Sequence, residues 1–307
     1  MSYLLSICIP TFNRADLLKN TLTSIYNQNS KLNEFEIVIS DNCSSDHTED
    51  VVLEFKKKFN NLKYYKLPIE ISGDNNIVNS LSKGEGQYLK LCNDTAVFVD
   101  ECINSLVEII RDNVVNKPII FFSNTDKKKQ LNFGSSFNTF ILYNSFLTTS
   151  ILAIGIWKED YDKLHNIQDA FKYKLPALNI LRKNFEQKSN FLIFNKKIFL
   201  VQYVKNKGGY NIIDVFVSNY LGIILSKEYE NGNLKFWVFE FEKLKVLLKF
   251  VAPWMKLLKK PNSGFTFSIE GANKKLFRVY YYNPLFYLLS IFFFFFDFLQ
   301  KKNKYNE

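Results

Sequence analysis

Two aspartates, a threonine, an arginine and several asparagines fall at the ends of three short apolar runs in the first hundred residues. Ser6-Ile7-Cys8-Ile9 leads into Pro10-Thr11-Phe12-Asn13-Arg14. Ile37-Val38-Ile39 leads into Ser40-Asp41-Asn42, and Tyr88-Leu89-Lys90-Leu91-Cys92 into Asn93-Asp94-Thr95. Carboxylates accept from N–H and O–H donors and attract cations. Amides and a hydroxyl orient a polar ligand, and a guanidinium pairs with anionic oxygen. Brought together, such groups bind a polar, charged small molecule.

The elements that would bring them together are legible in the pattern. Continuous apolar runs separated by helix-period stretches read as buried strands of a parallel sheet. Ligands of an open α/β sheet bind in the crevice outside the carboxyl ends of its strands. Between the runs, Ala15 to Gln28 places Leu17, Leu18, Leu22 and Ile25 on one helical face. Asp46, followed by Glu49, reads as the cap of a second helix reaching about Phe59. Tyr64–Leu67 reads as a short strand, Asp74–Lys83 as a helix, Asp100–Asp112 as another and Ile119–Phe122 as a strand. The predicted fold class is α/β, a Rossmann-like, mostly parallel sheet flanked by helices.

Beyond Asn124 the alternation weakens. Residues 137–156 are apolar and aromatic, 158–185 read as helical and charged, and 191–201 as one or two strands. Gly208-Gly209 reads as a turn before a helix over 212–225, and Trp237–Lys260 as a basic amphipathic helix broken at Pro253. The predicted division is a domain over 1–225 and a helical, basic, membrane-proximal region over 226–307.

Composition narrows the classes. With 47% apolar residues in 307, the chain is long enough for a sizeable core. Four cysteines without zinc-type spacing and only two histidines, His47 and His165, exclude a histidine-rich metal site and predict buried, reduced thiols. Met1-Ser2-Tyr3 leads straight into the first strand without a signal-peptide pattern, which predicts a cytoplasmic protein. The net charge of +10 is uneven: residues 226–307 carry 14 basic and 7 acidic side chains. That charge surrounds an apolar stretch from Leu285 to Phe296 containing five consecutive phenylalanines. The stretch is shorter than the roughly 20 residues that span a bilayer. It reads as a helix lying in the membrane interface, the alternative being a buried C-terminal helix or an oligomer contact. No nucleic-acid-binding motif accompanies the charge, so nucleic acid is not the expected partner.

The order of motifs resembles a family-2 glycosyltransferase with the GT-A fold, of the bacterial surface-polysaccharide type. The resemblance covers about residues 3–110. It rests on Pro10 to Arg14, on Ser40-Asp41-Asn42-Cys43-Ser44-Ser45-Asp46-His47-Thr48, and on Gly86-Gln87-Tyr88 before Asn93-Asp94-Thr95. It implies an inverting enzyme that moves a sugar from a nucleotide-sugar donor to a lipid-linked or polysaccharide acceptor. Its partners would be that donor, the lipid-linked glycan acceptor and the inner face of the cytoplasmic membrane, touched through the C-terminal helix. Asp41 would accept from the nucleotide base, with Asn42 beside it. Pro10, Thr11 and Arg14 would wall the nucleotide pocket. Asn93 and Asp94 would face the ribose, the diphosphate and a divalent metal, Mg²⁺ or Mn²⁺.

The sequence also departs from the family. Thr95 and Ala96 stand where further aspartates are usual. The ion is then held by Asp94 and the diphosphate, or cationic side chains replace it, or the fold binds a nucleotide-sugar without catalysis. The family draws its catalytic base from a Glu-Asp pair. Glu159-Asp160 is such a pair, somewhat early in the chain, and Asp169 is the next carboxylate. Asp160 and Asp169 are the two candidates, against the plainer reading of charges on a solvated helix face.

Overall fold

The computed structural model describes residues 3–164, 174–204, 207–258, 260, 264–284, 286–288 and 291. The chain forms two compact units, Met1–Lys205 and Asn206–Glu307. The sequence-based division after residue 225 falls inside the second of them.

The first unit opens with β1 (Leu5–Thr11), α1 (Ala15–Tyr26), β2 (Phe35–Asp41), α2 (Thr48–Lys58), β3 (Leu62–Lys66), α3 (Gly73–Ser82) and β4 (Tyr88–Leu91). These are the predicted strand–helix repeats. They are followed by β5 (Ala96–Phe98), α4 (Cys102–Asp112), β6 (Ile119–Phe122), β7 (Leu131–Gly134), α5 (Phe137–Asn144), β8 (Gly155–Trp157), α6 (Lys158–Asp162), α7 (Pro176–Gln187), β9 (Phe191–Phe194) and β10 (Phe199–Val201). The main sheet has the order β3-β2-β1-β4-β8. β1 pairs in parallel with β2 and β4, and β2 with β3. β8 is the exception: it runs antiparallel to β4, with Trp157 opposite Tyr88 and Gly155 opposite Lys90. A smaller sheet has the order β6-β9-β7, and β10 pairs antiparallel with β5.

Both faces of the main sheet are covered, which is why its strands read as unbroken apolar runs rather than alternating ones. Leu5, Ile7 and Ile9 of β1 and Ile37 and Ile39 of β2 pack with Leu18, Leu22 and Ile25 of α1, Val52 of α2 and Leu106 and Ile110 of α4. On the opposite face Cys8, Val38, Leu89, Leu91 and Ile156 meet Ile77 and Leu81 of α3 and Ile180 of α7. Full burial of such a side chain contributes about 1.5–3 kcal/mol. Three of the four thiols, Cys8, Cys92 and Cys102, are buried and unbridged, as expected. Burial pushes the Cys92 and Cys102 thiols up to about 12. Gly86, before β4, is fixed by proximity: a Cβ there would stand 2.7 Å from the backbone of Leu5 and Ser6.

The second unit holds β11 (Lys207–Asn211), a π-helical stretch over Asp214–Leu225, α8 (Ser226–Glu230), α9 (Phe236–Val246), a second π-helical stretch over Leu247–Val251, α10 (Ala252–Leu258), β12 (Phe265–Ser268) and α11 (Ala272–Tyr280). Two expectations are corrected here. Gly208-Gly209 is not a turn but part of β11, which pairs in parallel with β12. A Cβ on Gly208 would lie 2.4 Å from the backbone of Thr266, so only glycine permits this approach. Nor does Pro253 break the helix: helical backbone runs without interruption from 236 to 258. The widened π turn just before Pro253 makes room for the ring and for its missing N–H. Trp254 packs edge-on against Phe265 and Phe267, at 5.2 and 5.3 Å between ring centroids. Among the described residues no helix is long and apolar enough to cross a membrane. The predicted C-terminal phenylalanine helix lies mostly outside the described residues, all five consecutive phenylalanines included.

Candidate active site

The carboxyl ends of β1, β2 and β4 share one edge of the main sheet. Thr11 and Asp41 are register partners at the ends of β1 and β2, and the Asn42 N–H continues the ladder by donating to the Thr11 carbonyl at 3.0 Å. From the turn after β4, Asp94 reaches across to β1. Its Oδ2 accepts from Thr11 Oγ1 at 2.9 Å, and its Oδ1 from Arg14 Nη1 at 2.9 Å. Thr21 of α1 donates to the Asp94 carbonyl at 2.8 Å and holds that turn in place. Thr11, Arg14, Asp41, Asn42 and Asp94 are thus gathered in one crevice. Pro10, opposite Ser40 in the β1–β2 register, and Asn93, just ahead of Asp94, flank it.

Asp94 is 2% exposed, whereas the Arg14 side chain is 43% exposed. Burial raises the Asp94 carboxyl above its ordinary range, although the Arg14 guanidinium and the Thr11 hydroxyl pull the other way. The pair sets a buried acceptor on the floor of the crevice and a guanidinium that reaches toward solvent.

Asp41 is fully buried and doubly anchored. Oδ1 accepts from the Ser44 N–H at 2.9 Å and Oδ2 from the Tyr64 hydroxyl at 2.6 Å. Burial, then the hydrogen bond to Asp41, pushes the Tyr64 phenol well above its ordinary value, so it is a permanent donor. Sequence reading missed Tyr64. Its signal was the neighbouring strand: Tyr64 sits opposite Ile39, two positions from Asp41 on the same face.

The amides build the walls. Asn42 clamps Ile71 through both polar atoms, donating to its carbonyl at 2.8 Å and accepting from its N–H at 2.9 Å. Asn76 of α3 donates to the carbonyls of Ser40 (3.0 Å) and Thr11 (3.3 Å). Between these anchors, at the start of α3, stands the half-buried Asp74, whose carboxyl is raised by burial and faces Lys174. The loops after β1 and β2 are cross-tied. Asn13, at φ 50°, donates through its N–H to Ser44 Oγ and accepts from the Ser45 N–H, both at 2.8 Å. Cys43, at φ 64°, sits in a conformation that side-chain-bearing residues seldom adopt. The Asp46–Glu49 capping box is not formed: His47 is the N-cap of α2, and Asp46, one residue before it, accepts from the Thr48 N–H instead.

Asp160 is not part of this crevice, which corrects the expectation that it sits beside the acceptor. Because β8 runs antiparallel to β4, the chain leaves β8 at the amino-terminal edge of the sheet, where the Lys158 N–H donates to the Gln87 carbonyl at 2.8 Å. There Asp160 is 3% exposed and pairs with Lys188, whose ammonium also donates to the Lys117 carbonyl at 2.8 Å. Its neighbour Glu159 pairs with Lys117 at 2.6 Å. Both carboxylates of the pair therefore hold α6 in place. Asp169 lies outside the described residues.

For a divalent ion the crevice offers Asp94 and neutral oxygens, because both oxygens of Asp41 are already held by Ser44 and Tyr64. Among the described residues no three His, Cys, Asp or Glu side chains converge. Both Asp94 oxygens already accept a hydrogen bond, and Thr95 follows it. Mg²⁺ keeps several waters and binds through one or two carboxylates plus substrate phosphates. The donor set fits an ion carried chiefly by a diphosphate and anchored by Asp94. It does not fit an ion chelated by the protein alone.

Residues 6–158 match the family described as Glycosyl transferase family 2, and the chain carries a domain of that family. An 86-residue segment is 37% identical to the abequosyltransferase RfbV of Salmonella typhimurium, covering 28% of this chain and 26% of that protein. A 105-residue segment is 33% identical to the GalNAc(5)-diNAcBac-PP-undecaprenol beta-1,3-glucosyltransferase of Campylobacter jejuni, covering 34% and 33%. The chain thus spans about a quarter to a third of the length of these curated relatives. The crystal structure of S. aureus TarS 1-349 in complex with UDP-GlcNAc superposes with a TM-score of 0.58 at 17% identity, over 90% of this chain and 79% of that one. The fold is GT-A, as the motif order implies.

Proposed function

We propose that this family 2 glycosyltransferase is an inverting enzyme that moves a sugar from a nucleotide-sugar to a lipid-linked glycan acceptor in bacterial surface-polysaccharide synthesis. It would work at the inner face of the cytoplasmic membrane. The observation that carries the reading is the convergence of Thr11, Arg14 and Asp94 beside the doubly anchored Asp41. The Campylobacter relative, named for a PP-undecaprenol acceptor, supports the acceptor class.

In this reading Asp41 accepts from the N–H edge of the base, held for that purpose by Ser44 and Tyr64. Pro10, Thr11 and Asn42 line the nucleoside wall. Asn93 and Asp94 face the ribose and diphosphate, and Arg14 lies within reach of the diphosphate oxygens. A divalent ion, when bound, would be held by Asp94 and would neutralise charge on the departing diphosphate. The protein's own contribution is orientation and fixed charge: two hydrogen-bonded carboxylates and a guanidinium already in position before the donor arrives. In this reading Asp160, buried against Lys188 at the far edge of the sheet, supports α6.

The test is a thermal-shift series with UDP-, GDP- and dTDP-sugars, with and without Mn²⁺, on the native chain, Asp41→Ala and Asp94→Ala. A donor-induced rise in melting temperature in the native chain, lost in both variants, is expected. Equal shifts in all three proteins would exclude this crevice as the donor site.

A further inference from the structure

The helical run 236–258 of the second unit carries two acidic residues, Glu240 and Glu242, and both are engaged by side chains of the same unit. Glu242 is 1% exposed and accepts from the Tyr220 hydroxyl at 2.8 Å. Glu240 accepts from the Tyr282 hydroxyl at 2.5 Å and pairs with Lys243 at 3.2 Å. Lys243 is itself buried, between the rings of Phe239, Tyr280 and Tyr282. The inner side of the run is apolar: Val238, Phe239, Val246, Leu247, Val251 and Met255 are all buried.

The outer side keeps large apolar groups in the open. Phe236 is 60% exposed, Trp237 56%, Phe241 48% and Leu248 45%. Trp237, Phe241, Lys245 and Lys249 follow one another at four-residue spacing, which places them along one face of a helix. The Lys245 ammonium lies 4.8 Å from the centre of the Phe241 ring, its stem running along the aromatic surface. The Tyr282–Glu240 bond brings the chain just after α11 alongside α9, adding the exposed Tyr281 and Tyr282.

We propose that this outer face of α9 and the turn that follows it is a membrane-docking surface for anionic phospholipid. Its residues lie between 236 and 282. The partner is identified by chemistry: tryptophan, phenylalanine and leucine for the acyl boundary and lysines for the headgroups, while the two carboxylates of the run are held by Tyr220, Tyr282 and Lys243. A negatively charged bilayer selects lysines set beside exposed aromatic rings. The inference deepens the proposed function and rests on it only for the location of the acceptor.

The experiment is vesicle flotation of the full chain with phosphatidylcholine alone and with phosphatidylcholine containing phosphatidylglycerol. It compares the native protein, Trp237→Glu/Phe241→Glu and Lys245→Gln/Lys249→Gln, each also weighed in solution and assayed for a donor-induced thermal shift. Native protein should float with the anionic vesicles. The aromatic variant should bind more than about tenfold less well. The lysine variant should lose about tenfold on anionic vesicles and little on neutral ones. Donor shifts should be unchanged in both variants, showing that they are folded. Flotation of the aromatic variant equal to native would overturn the surface. So would a native oligomer that the aromatic variant reduces to monomer without altering flotation, because the face would then join copies of the chain. A native protein that floats but shows no donor shift would sink the functional reading and leave the surface standing.

Discussion

Arg14 Nη1 lies 2.9 Å from Asp94 Oδ1, joining the loop after β1 to the turn after β4 in a single charge pair. Arg14 is the exposed member and Asp94 the buried one, so the two substitutions are not equivalent. Arg14→Ala leaves a carboxylate in a buried place without its cation, a cost that solvent around the half-exposed guanidinium reduces but does not remove. Arg14→Lys keeps the charge and loses the planar fork. Turnover is expected to fall about a hundredfold or more in Arg14→Ala and distinctly less in Arg14→Lys, read as kcat/KM for the donor. Equal losses would mean that guanidinium geometry, not charge, is what the site uses.

Asp94 also sets a pH signature. Burial raises its folded pKa above the ordinary carboxyl value of 3.8, so the folded protein holds this proton more tightly than the unfolded chain does. The associated stabilisation is complete below 3.8 and is lost as pH rises through the folded value. At neutral pH the ionised carboxylate therefore weighs against the fold. Asp94→Asn is expected to melt at or above the native temperature at pH 7. The gap should close or reverse toward about pH 4, while donor turnover is lost. Melting curves across that range check the sign; a variant less stable at pH 7 than at pH 4, relative to native, contradicts it.

Tyr64→Phe removes the hydroxyl that donates to Asp41 Oδ2 at 2.6 Å and nothing else. A buried acceptor left without its donor costs about 1–3 kcal/mol. Donor affinity is expected to weaken about tenfold with a small change in kcat, because Asp41 loses its fixed orientation rather than its charge. Calorimetric titration with the preferred donor reads the effect directly.

Asp160→Asn separates support from chemistry. Loss of the buried partner of Lys188 should lower unfolding free energy by about 3 kcal/mol. Below the new melting temperature, donor affinity and the pH profile of turnover should match the native enzyme. A shifted acid limb with unaltered stability would instead make Asp160 a proton acceptor.

How far these features were readable from sequence varied with their physical origin. β1, β2 and β4 are buried on both faces, so each announces itself as an apolar run, and the polar residues ending each run share one edge because the strands are parallel. Thr11, Asp41 and Asp94 were legible on that ground alone. Tyr64 was hidden because its role depends on the β2–β3 register, which no local pattern encodes. β8 is three residues long and carries no periodicity, so its reversed direction was not visible. That direction is what moves Asp160 to the far edge. Gly208 failed for a similar reason: glycine marks a turn and a close strand approach with the same letter.

Asp46 uses its two oxygens for two helices. Oδ2 accepts from the Ala15 N–H that begins α1, and Oδ1 from the Thr48 N–H that begins α2, each at 3.0 Å. Together with the Asn13–Ser44 and Asn13–Ser45 bonds, this rivets the segment behind Thr11 to the segment behind Asp41. Neither can swing without the other. Any tolerance for ligands of different size must then come from side chains such as the exposed Arg14, because the backbone behind Thr11 and Asp41 has been welded into one piece.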